Sequence, residues 1–370
     1  HYRSHSFPTR RSSDLIEMAN EVSSEHEPTE REMDVLLSTG EQTTIALTSM
    51  AINALGGKAI SLTGAQAGIV TDGDHTRARI SNISPDEVQR LLDEDHIVIL
   101  AGFQGSSPDG RITTLGRGGS DLTAIAMAAA INADLCQILT DVDGVYTCDP
   151  RVVPNAKKID EISYDEMLEM ASSGSKVMQS RSVEFAKKFG VKFEVKSSLN
   201  NNPGTIVTEE HPNMESVVVR GISVEKEQAK VTIENVSDQP GVASRIFQAI
   251  SESGVIIDMI VQNVSKTNHT DISFTLHRSD LKRAKQTIEP ILEELSDAAS
   301  METTDGIGKL SVVGIGMRSH SGVAAQMFAA LAKGSINIQM ISTSEIKTAV
   351  IIQEEDLEEA ANIVHEAFNL

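Results

Sequence analysis

The sequence predicts an α/β protein in which a largely parallel, helix-covered sheet is followed by two copies of a smaller unit of strands and helices. Two observations lead to this prediction. In the first half of the chain, short apolar runs alternate with helical stretches, which is typical of parallel sheets covered by helices. In the second half, Gly241-Val-Ala recurs as Gly322-Val-Ala, and other residues recur at the same offset of 81.

The first half of the chain shows the pattern of one long helix, several shorter helices and four buried strands. The long helix is predicted over residues 30–54, where Gly40 marks a kink or a close approach to a ligand. Strands are predicted at residues 59–62, 97–100, 135–139 and 191–195. Shorter helices are predicted at residues 85–93, 122–130, 164–171 and 181–189, and a polar linker at residues 209–215.

The repeat in the second half predicts two ferredoxin-like units. Phe247 and Phe328 are equivalent residues of the two copies. Each copy reads strand, glycine turn, helix, strand, strand and helix, first over residues 230–295 and then over residues 309–370, which is the split βαβ pattern. Because such units have open edge strands, we expect them to pair with each other or with another chain.

The composition is that of ordinary globular domains. The 370 residues suggest two or three domains, and 53 acidic against 32 basic residues give a net charge of −21. This charge disfavours nucleic acid and anionic membrane surfaces as partners. No apolar run approaches the ~20 residues of a transmembrane helix. The two cysteines fit a reducing cytoplasm, and the histidines and cysteines show no metal-ligand spacing.

The amino-terminal residues differ from the rest of the chain. Residues 1–13 are basic and polar, and they lack the apolar core of a secretory signal. We interpret the segment up to residue 14 as foreign to the fold, with a basic arm or a transit-like segment as the alternatives.

The segment GRGGSD, residues 116–121, predicts an anion-binding turn. It lies between an apolar run and an alanine-rich helical stretch, and its three glycines let the backbone turn tightly beside a ligand. The start of a helix favours an anion, and Arg117 adds a planar fork that can hold a carboxylate or a phosphate. The alternative is a plain glycine turn before a helix, with Arg117 in solvent.

Four motifs together resemble those of aspartate kinases. They are REMDVLLSTGEQ at residues 31–42, GRGGSD, LTDVDGVYTCDPR at residues 139–151 and STSEI at residues 342–346. The resemblance runs from about Leu15 to Leu370. It implies an amino-acid-kinase-type domain over residues 15–212, followed by ACT domains over residues 217–300 and 301–370. The implied reaction moves the ATP γ-phosphoryl group, with Mg²⁺, to the side chain of L-aspartate, the first step of lysine, threonine and methionine biosynthesis.

The resemblance also implies which residues bind the substrate. Aspartate carries two carboxylates and one ammonium group, so its site needs an arginine and an acid. Arg117 matches the residue that clamps a carboxylate, and Glu41 matches the one that pairs with the ammonium group. The neighbouring substrate positions match Gly118, Gly119, Ser120 and Asp121. From the residues alone, the alternatives are a solvated helix residue for Glu41 and a helix N-cap for Asp121.

Nucleotide contacts are implied where the strand predicted at residues 135–139 ends, and such strand ends face ligand crevices in open α/β sheets. The family's nucleotide positions match Thr140, Asp141, Tyr146, Arg151 and Lys176. The alternatives are a simple turn at Asp143-Gly144 and a surface role for Lys176.

The ACT domains of the family bind amino acids, and lysine, threonine or both are the implied effectors. The candidate effector residues occupy equivalent places in the two copies: Asp238, Gly241, Val242, Gln262, Asn263, Ser342, Thr343 and Glu345. Asp238 is suited to an effector's ammonium group, and the N–H groups near Gly241 to its carboxylate. The alternative is that these residues only form helix-capping turns. We expect a homo-oligomer or an assembly of α and β subunits through the ACT domains.

One departure from the family concerns the phosphate-binding segment. Aspartate kinases begin with a strand that carries a Lys-Phe-Gly-Gly-Thr segment, which has no equivalent in these 370 residues. We therefore expect an amino-terminally truncated chain with little or no turnover. A non-catalytic, amino-acid-binding regulatory subunit is the first alternative, and a glutamate-type kinase of the same fold is the second. Met214 is a candidate internal start for a separate regulatory subunit, or an ordinary linker residue.

Overall fold

The computed structural model describes residues 12–23, 28–172, 178–209, 219–262, 269–295, 299–315, 317 and 322–370. The chain divides into two compact units. The first contains residues 1–145, 160–168 and 176–210, and the second contains residues 146–159, 169–175 and 211–370. Two short segments, residues 146–159 and 169–175, therefore belong to the second unit although they lie between stretches of the first unit in sequence.

The described residues of the first part of the chain form six α-helices, and all except α1 were predicted. They are α1 (Ser12–Val22), α2 (Glu30–Ala54), α3 (Asp86–Asp93), α4 (Gly119–Ala130), α5 (Tyr164–Ser172) and α6 (Ser180–Phe189). Helix α2 has the predicted bounds and runs through Gly40 without interruption. Helix α4 begins three residues before the predicted start, because its first turn includes part of the GRGGSD segment.

Ten strands lie within the described part of the first unit. They are β1 (Ala59–Leu62), β2 (Ile69–Thr71), β3 (Ile80–Ile83), β4 (Ile97–Leu100), β5 (Gln104–Ser106), β6 (Ile112–Thr114), β7 (Cys136–Thr140), β8 (Glu161–Ser163), β9 (Phe193–Ser197) and β10 (Thr205–Thr208). Strands β1 and β4 pair in parallel, and so do β7 with β9, β8 with β10 and β2 with β5. This parallel pairing confirms the predicted fold class. The sequence pattern missed the short strands β2, β3, β5, β6, β8 and β10.

The second unit contains the two repeats. Its elements are β11 (Gly221–Ser237), α7 (Val242–Glu252), β12 (Ile257–Gln262), β13 (His269–His277), α8 (Leu281–Leu295), β14 (Ser300–Val313), α9 (Val323–Lys333), β15 (Met340–Thr343), β16 (Lys347–Gln353) and α10 (Leu357–Ala367). The order in each copy is the predicted one. All six strands form one sheet in the order β12-β13-β11-β14-β16-β15.

Strands β11 and β14 join the two repeats, because they pair with each other and each also pairs with another strand of its own repeat. The start of β11, at Gly221, pairs with Val313 at the end of β14, whereas Ile233 near its other end pairs with Ile272 of β13 and with Met301. The register shifts near Glu227, whose φ of 61° is in the left-handed region. The two predicted units have thus joined into a continuous sheet, as expected from their open edges.

A buried lysine links the strands at the centre of this sheet. Lys309 of β14 is 3% exposed, and its Nζ lies 2.7 Å from Glu225 of β11 and 2.5 Å from Asp258 of β12. Burial by itself would lower the pKa of Lys309, but the two carboxylates raise that pKa above its ordinary value. Gln228 donates a further hydrogen bond to Glu225 at 3.0 Å, so the lysine is fixed within a polar cluster.

Replacing Lys309 by methionine is expected to lower the free energy of unfolding by about 2–3 kcal/mol, somewhat less than for a fully buried pair, because both carboxylates keep some contact with solvent. Urea unfolding of this variant beside Lys226→Met checks the expectation. The exposed ion pair of Lys226 with Glu358 spans 2.9 Å, and such pairs contribute at most about 1 kcal/mol. Equal losses in the two variants would contradict the importance of the buried cluster.

Candidate functional site

The GRGGSD segment forms the predicted tight turn between β6 and α4. Gly116 has a φ of 75° and Gly118, the N-cap residue of α4, has a φ of 73°. A Cβ atom on Gly118 would lie 1.9 Å from Cγ of Gln179, so only glycine fits there. Since Gly118 is the N-cap, Asp121 is not, and the capping alternative for Asp121 is wrong.

The residues around the start of α4 combine positive charge with a partly shielded acid. Arg117 and Ser120 are exposed, whereas Gly119 is buried. Asp121 is half-buried in the first turn, and burial raises the pKa of its carboxyl group. The amino end of α4 and the exposed guanidinium group of Arg117 can therefore bind an anion together.

A buried acid that the sequence analysis missed supports this turn. Asp34 of α2 is fully buried and accepts a hydrogen bond of 2.5 Å from the hydroxyl of Thr114, the last residue of β6. Its carboxylate also accepts the N–H of Thr76 at 3.0 and 3.2 Å and lies 2.6 Å from Nδ1 of His75. Asp34 thus joins α2, the turn at residues 75–76 and the strand that leads into the GRGGSD segment.

A second residue that the sequence analysis missed also holds this turn. Arg181 of α6 donates 2.9 Å hydrogen bonds to the carbonyl oxygens of Leu115 and Ala78. Burial lowers the pKa of this guanidinium group, and the positive charge of Arg79 lowers that pKa further. Leu115 directly precedes Gly116, so Arg181 fixes the backbone at the start of the turn.

Glu41 lies on the buried stripe of α2 that also contains Asp34. It is half-buried, burial raises the pKa of its carboxyl group, and its Oε2 has no hydrogen-bond partner among the described residues. The interpretation of Glu41 as a simple solvated helix residue is therefore wrong. A cationic group reaching this oxygen would satisfy it.

The nucleotide candidates of the first unit lie at a strand end, as predicted. Thr140 closes β7, and its carbonyl oxygen accepts hydrogen bonds of 2.8 and 3.1 Å from the N–H and the hydroxyl of Ser198, just beyond β9. Asp141 is exposed next to it. Asn200 donates a 2.7 Å hydrogen bond to Asp143. The parallel strands β7 and β9 therefore bring these two loops together.

The other nucleotide candidates are in the second unit or outside the description. Tyr146 is half-buried and forms an antiparallel bridge with Lys158. Arg151 is exposed and holds both carboxylate oxygens of Asp149. Lys176 lies outside the described residues, as does Met214.

Three effector candidates of the first copy, Asp238, Gly241 and Val242, lie at or just before the start of helix α7. Gly241 has a φ of 98° and is the N-cap of α7, and the equivalent Gly322 has a φ of 122° before α9. Asp238 and Gln262 are exposed, Val242 is half-buried, and Asn263 lies outside the described residues.

In the second copy, the candidates lie at the hairpin between β15 and β16. Ser342 and Thr343 end β15, and the carbonyl oxygen of Glu345 accepts the N–H of Met317 at 3.0 Å. The turn therefore lies beside the strand-to-helix loop that precedes α9.

Comparisons with known proteins establish the family. The amino acid kinase family model matches residues 6–197, and the ACT domain model matches residues 231–290 and 310–368. Aspartate kinase Ask_LysC from Stutzerimonas stutzeri (strain A1501) is 52% identical over 357 residues, which cover 96% of this chain and 86% of that protein. The chain belongs to the aspartate kinases.

Solved aspartate kinases share its architecture. E. coli aspartokinase III in complex with aspartate and ADP, in the R-state, matches with a TM-score of 0.80 at 26% identity, covering 97% of this chain and 80% of that one. The T-state of the same enzyme, in complex with lysine and aspartate, gives a TM-score of 0.72 at 27% identity, with 96% and 80% covered. Within the described ranges, no helix of this aspartate kinase is long and apolar enough to span a bilayer.

Proposed function

We propose that the chain catalyses transfer of the γ-phosphoryl group of ATP to the side-chain carboxylate of L-aspartate, giving 4-phospho-L-aspartate and ADP. A carboxylate oxygen forms the new bond to phosphorus while the bond to the β-phosphate oxygen breaks. Positioning and charge stabilisation supply most of the catalysis in such transfers. The observation that carries the proposal is the glycine turn at the start of α4, with Arg117 exposed beside it.

The geometry supports a division of roles among the substrate residues. Arg117 binds a carboxylate of aspartate through its planar fork, and the N–H groups around Gly119 and Ser120 add positive partial charge. Glu41 accepts hydrogen bonds from the substrate's ammonium group, which supplies the partner that its buried oxygen lacks within the described residues. Asp121 lies in the first turn of α4, beside the bound substrate.

For the nucleotide, we propose Thr140, Asp141, Tyr146, Arg151 and Lys176 as contacts. Asp141 is exposed, and its hard oxygen donors would suit Mg²⁺. The ion would be held mainly through the phosphates and would lower the repulsion between them and the incoming carboxylate. Arg151 is exposed, and its guanidinium fork suits a phosphate of the nucleotide. The ADP named with E. coli aspartokinase III supports this assignment.

The ACT region supports feedback control by amino acids. The lysine named with the T-state enzyme of E. coli favours lysine as an effector, with threonine as the further candidate. We propose the equivalent residues Asp238, Gly241 and Val242, with Gln262 and Asn263, and Ser342, Thr343 and Glu345 as its contacts. A homo-oligomer through the ACT domains, a cytoplasmic location and a place at the start of lysine, threonine and methionine biosynthesis complete the proposal.

The substrate can be tested by binding. Isothermal titration of the 370-residue chain with L-aspartate is expected to give heat that saturates, whereas L-glutamate, one methylene longer, is expected to bind roughly 10-fold or more weakly. Equal affinity for the two acids would favour a glutamate-type kinase. Lysine binding without aspartate binding would favour a non-catalytic regulatory subunit.

A further inference from the structure

The connecting segment, residues 146–159, links the nucleotide candidates to the second repeat. The chain leaves the first unit after Val145 and returns to it at Asp160, and between them it belongs to the second unit. Tyr146 and Arg151 are part of this segment. Its two ends lie side by side, because the N–H of Thr147 donates to the carbonyl oxygen of Lys157 at 2.8 Å.

Apolar side chains of the connecting segment are part of the core of the second repeat. Cys148 and Val153 are each 2% exposed and belong to the same cluster of buried residues as Met327 of α9 and Val364 of α10. Val152 and Ala156 pack against that cluster, so the segment is anchored by burial and not only at its ends.

Polar contacts with the last helix fix the register of the segment. Nε2 of His365 lies 2.9 Å from the hydroxyl oxygen of Thr147, and the side-chain amide of Asn362 donates to the carbonyl oxygen of Val152 at 2.9 Å. His365 is 3% exposed. Burial, and then Lys157, lowers the pKa of His365, which keeps the imidazole neutral and suited to a hydrogen bond.

These contacts lie immediately beside the candidate nucleotide residues. Thr147 follows Tyr146 directly, and Val152 follows Arg151 directly. The carbonyl oxygen of Thr147 also accepts the N–H of Ile222 of β11 at 2.6 Å. The residue that follows each of the two candidates is therefore held by contacts within the second unit.

We infer that His365 and Asn362 are positioning residues for nucleotide binding, which hold Tyr146 and Arg151 in place through Thr147 and Val152. The inference rests on the proposed function and deepens it, since it connects the position of α10 to the affinity for ATP and not to the affinity for aspartate. A shift of α10 would move the connecting segment and would change the affinity for the nucleotide. The aspartate candidates Glu41 and Arg117 lie outside this segment and would be unaffected.

The test compares His365→Ala, His365→Gln and Glu366→Gln in the full chain. Glutamine keeps a polar group near the position of Nε2, and Glu366 is exposed on the same helix. Loss of one hydrogen bond and of its packing is expected to weaken binding of ADP with Mg²⁺ by roughly 5- to 10-fold in His365→Ala. His365→Gln should recover most of that loss, Glu366→Gln should match the unaltered chain, and L-aspartate affinity should stay the same in all three.

Hydrogen exchange supplies a readout that does not depend on any ligand. Exchange in residues 146–159 is expected to rise several-fold in His365→Ala, with little change in the strands of the first unit. Unchanged exchange there, or an equal loss of ADP and aspartate affinity, would overturn the inference. Equal ADP affinity in His365→Ala and the unaltered chain would refute the inference alone. Absence of ADP binding by the unaltered chain would refute the proposed function, and the inference with it.

Discussion

Replacement of Arg117 by alanine is expected to weaken L-aspartate binding, and any turnover that depends on it, by roughly 100-fold or more. A hydrogen bond to a charged group contributes about 1.5–3 kcal/mol, and a guanidinium fork can donate two of them to one carboxylate. Because every 1.4 kcal/mol is about a factor of ten, the loss of both gives the expected reduction. Titration calorimetry with aspartate measures it directly.

Two further variants make this expectation specific. Arg117→Lys keeps the charge but not the planar fork, so we expect it to recover only part of the lost affinity. Arg111→Ala removes an exposed arginine that pairs with Asp109 at 2.8 Å, and it should bind aspartate like the unaltered chain. If Arg117→Ala bound aspartate within about 2-fold of the unaltered chain, the fork would not be the carboxylate clamp.

Replacement of Asp34 by alanine is expected to lower the free energy of unfolding of the first unit by about 3–5 kcal/mol. A buried donor that loses its acceptor costs about 1–3 kcal/mol. The carboxylate of Asp34 accepts hydrogen bonds from the N–H of Thr76 and from the hydroxyl of Thr114, and it also contacts His75. Thr76 has a φ of 62°, a left-handed conformation that the surrounding hydrogen bonds must maintain. Urea or thermal unfolding gives the change.

The comparison with Asp34→Asn and Glu32→Ala separates the network from general effects on α2. Asparagine keeps one acceptor oxygen and should lose about half as much stability as alanine. Glu32 is exposed on the same helix, and its removal should change the free energy by no more than about 0.5 kcal/mol. A similar loss in Asp34→Ala and Glu32→Ala would show that the buried contacts of Asp34 do not stabilise the turn.

Strong local patterns made most of the fold predictable. Helix α2 and strand β1 have the predicted bounds because each shows a clear apolar period, and the repeat predicted the order of elements around α7 and α9. Strands β2 and β5 have three residues each, which is too short for any period to appear. They form only because neighbouring strands pair with them.

The residues of the candidate site also differ in how well the sequence alone predicts them. The GRGGSD turn was found from sequence because its glycines and the following helix are local features. Asp34 and Arg181 were missed because their partners lie 80 and 66 residues away in the chain. One signal was available for Asp34, which shares the buried stripe of α2 with Leu37 and Ile45. An acid on such a stripe requires buried donors, and this rule would have singled it out.

The most direct test of the proposed kinase reaction is trapping of aspartyl phosphate by hydroxylamine in the presence of ATP, Mg²⁺ and L-aspartate. We would assay the extended chain, in which an amino-terminal strand with a Lys-Phe-Gly-Gly-Thr segment precedes the 370 residues, and the same extended chain with Arg117→Ala. We predict aspartyl hydroxamate from the extended chain and roughly 100-fold less or none from its Arg117→Ala variant. No hydroxamate from the extended chain would contradict the kinase assignment and favour an amino-acid-binding subunit without catalysis.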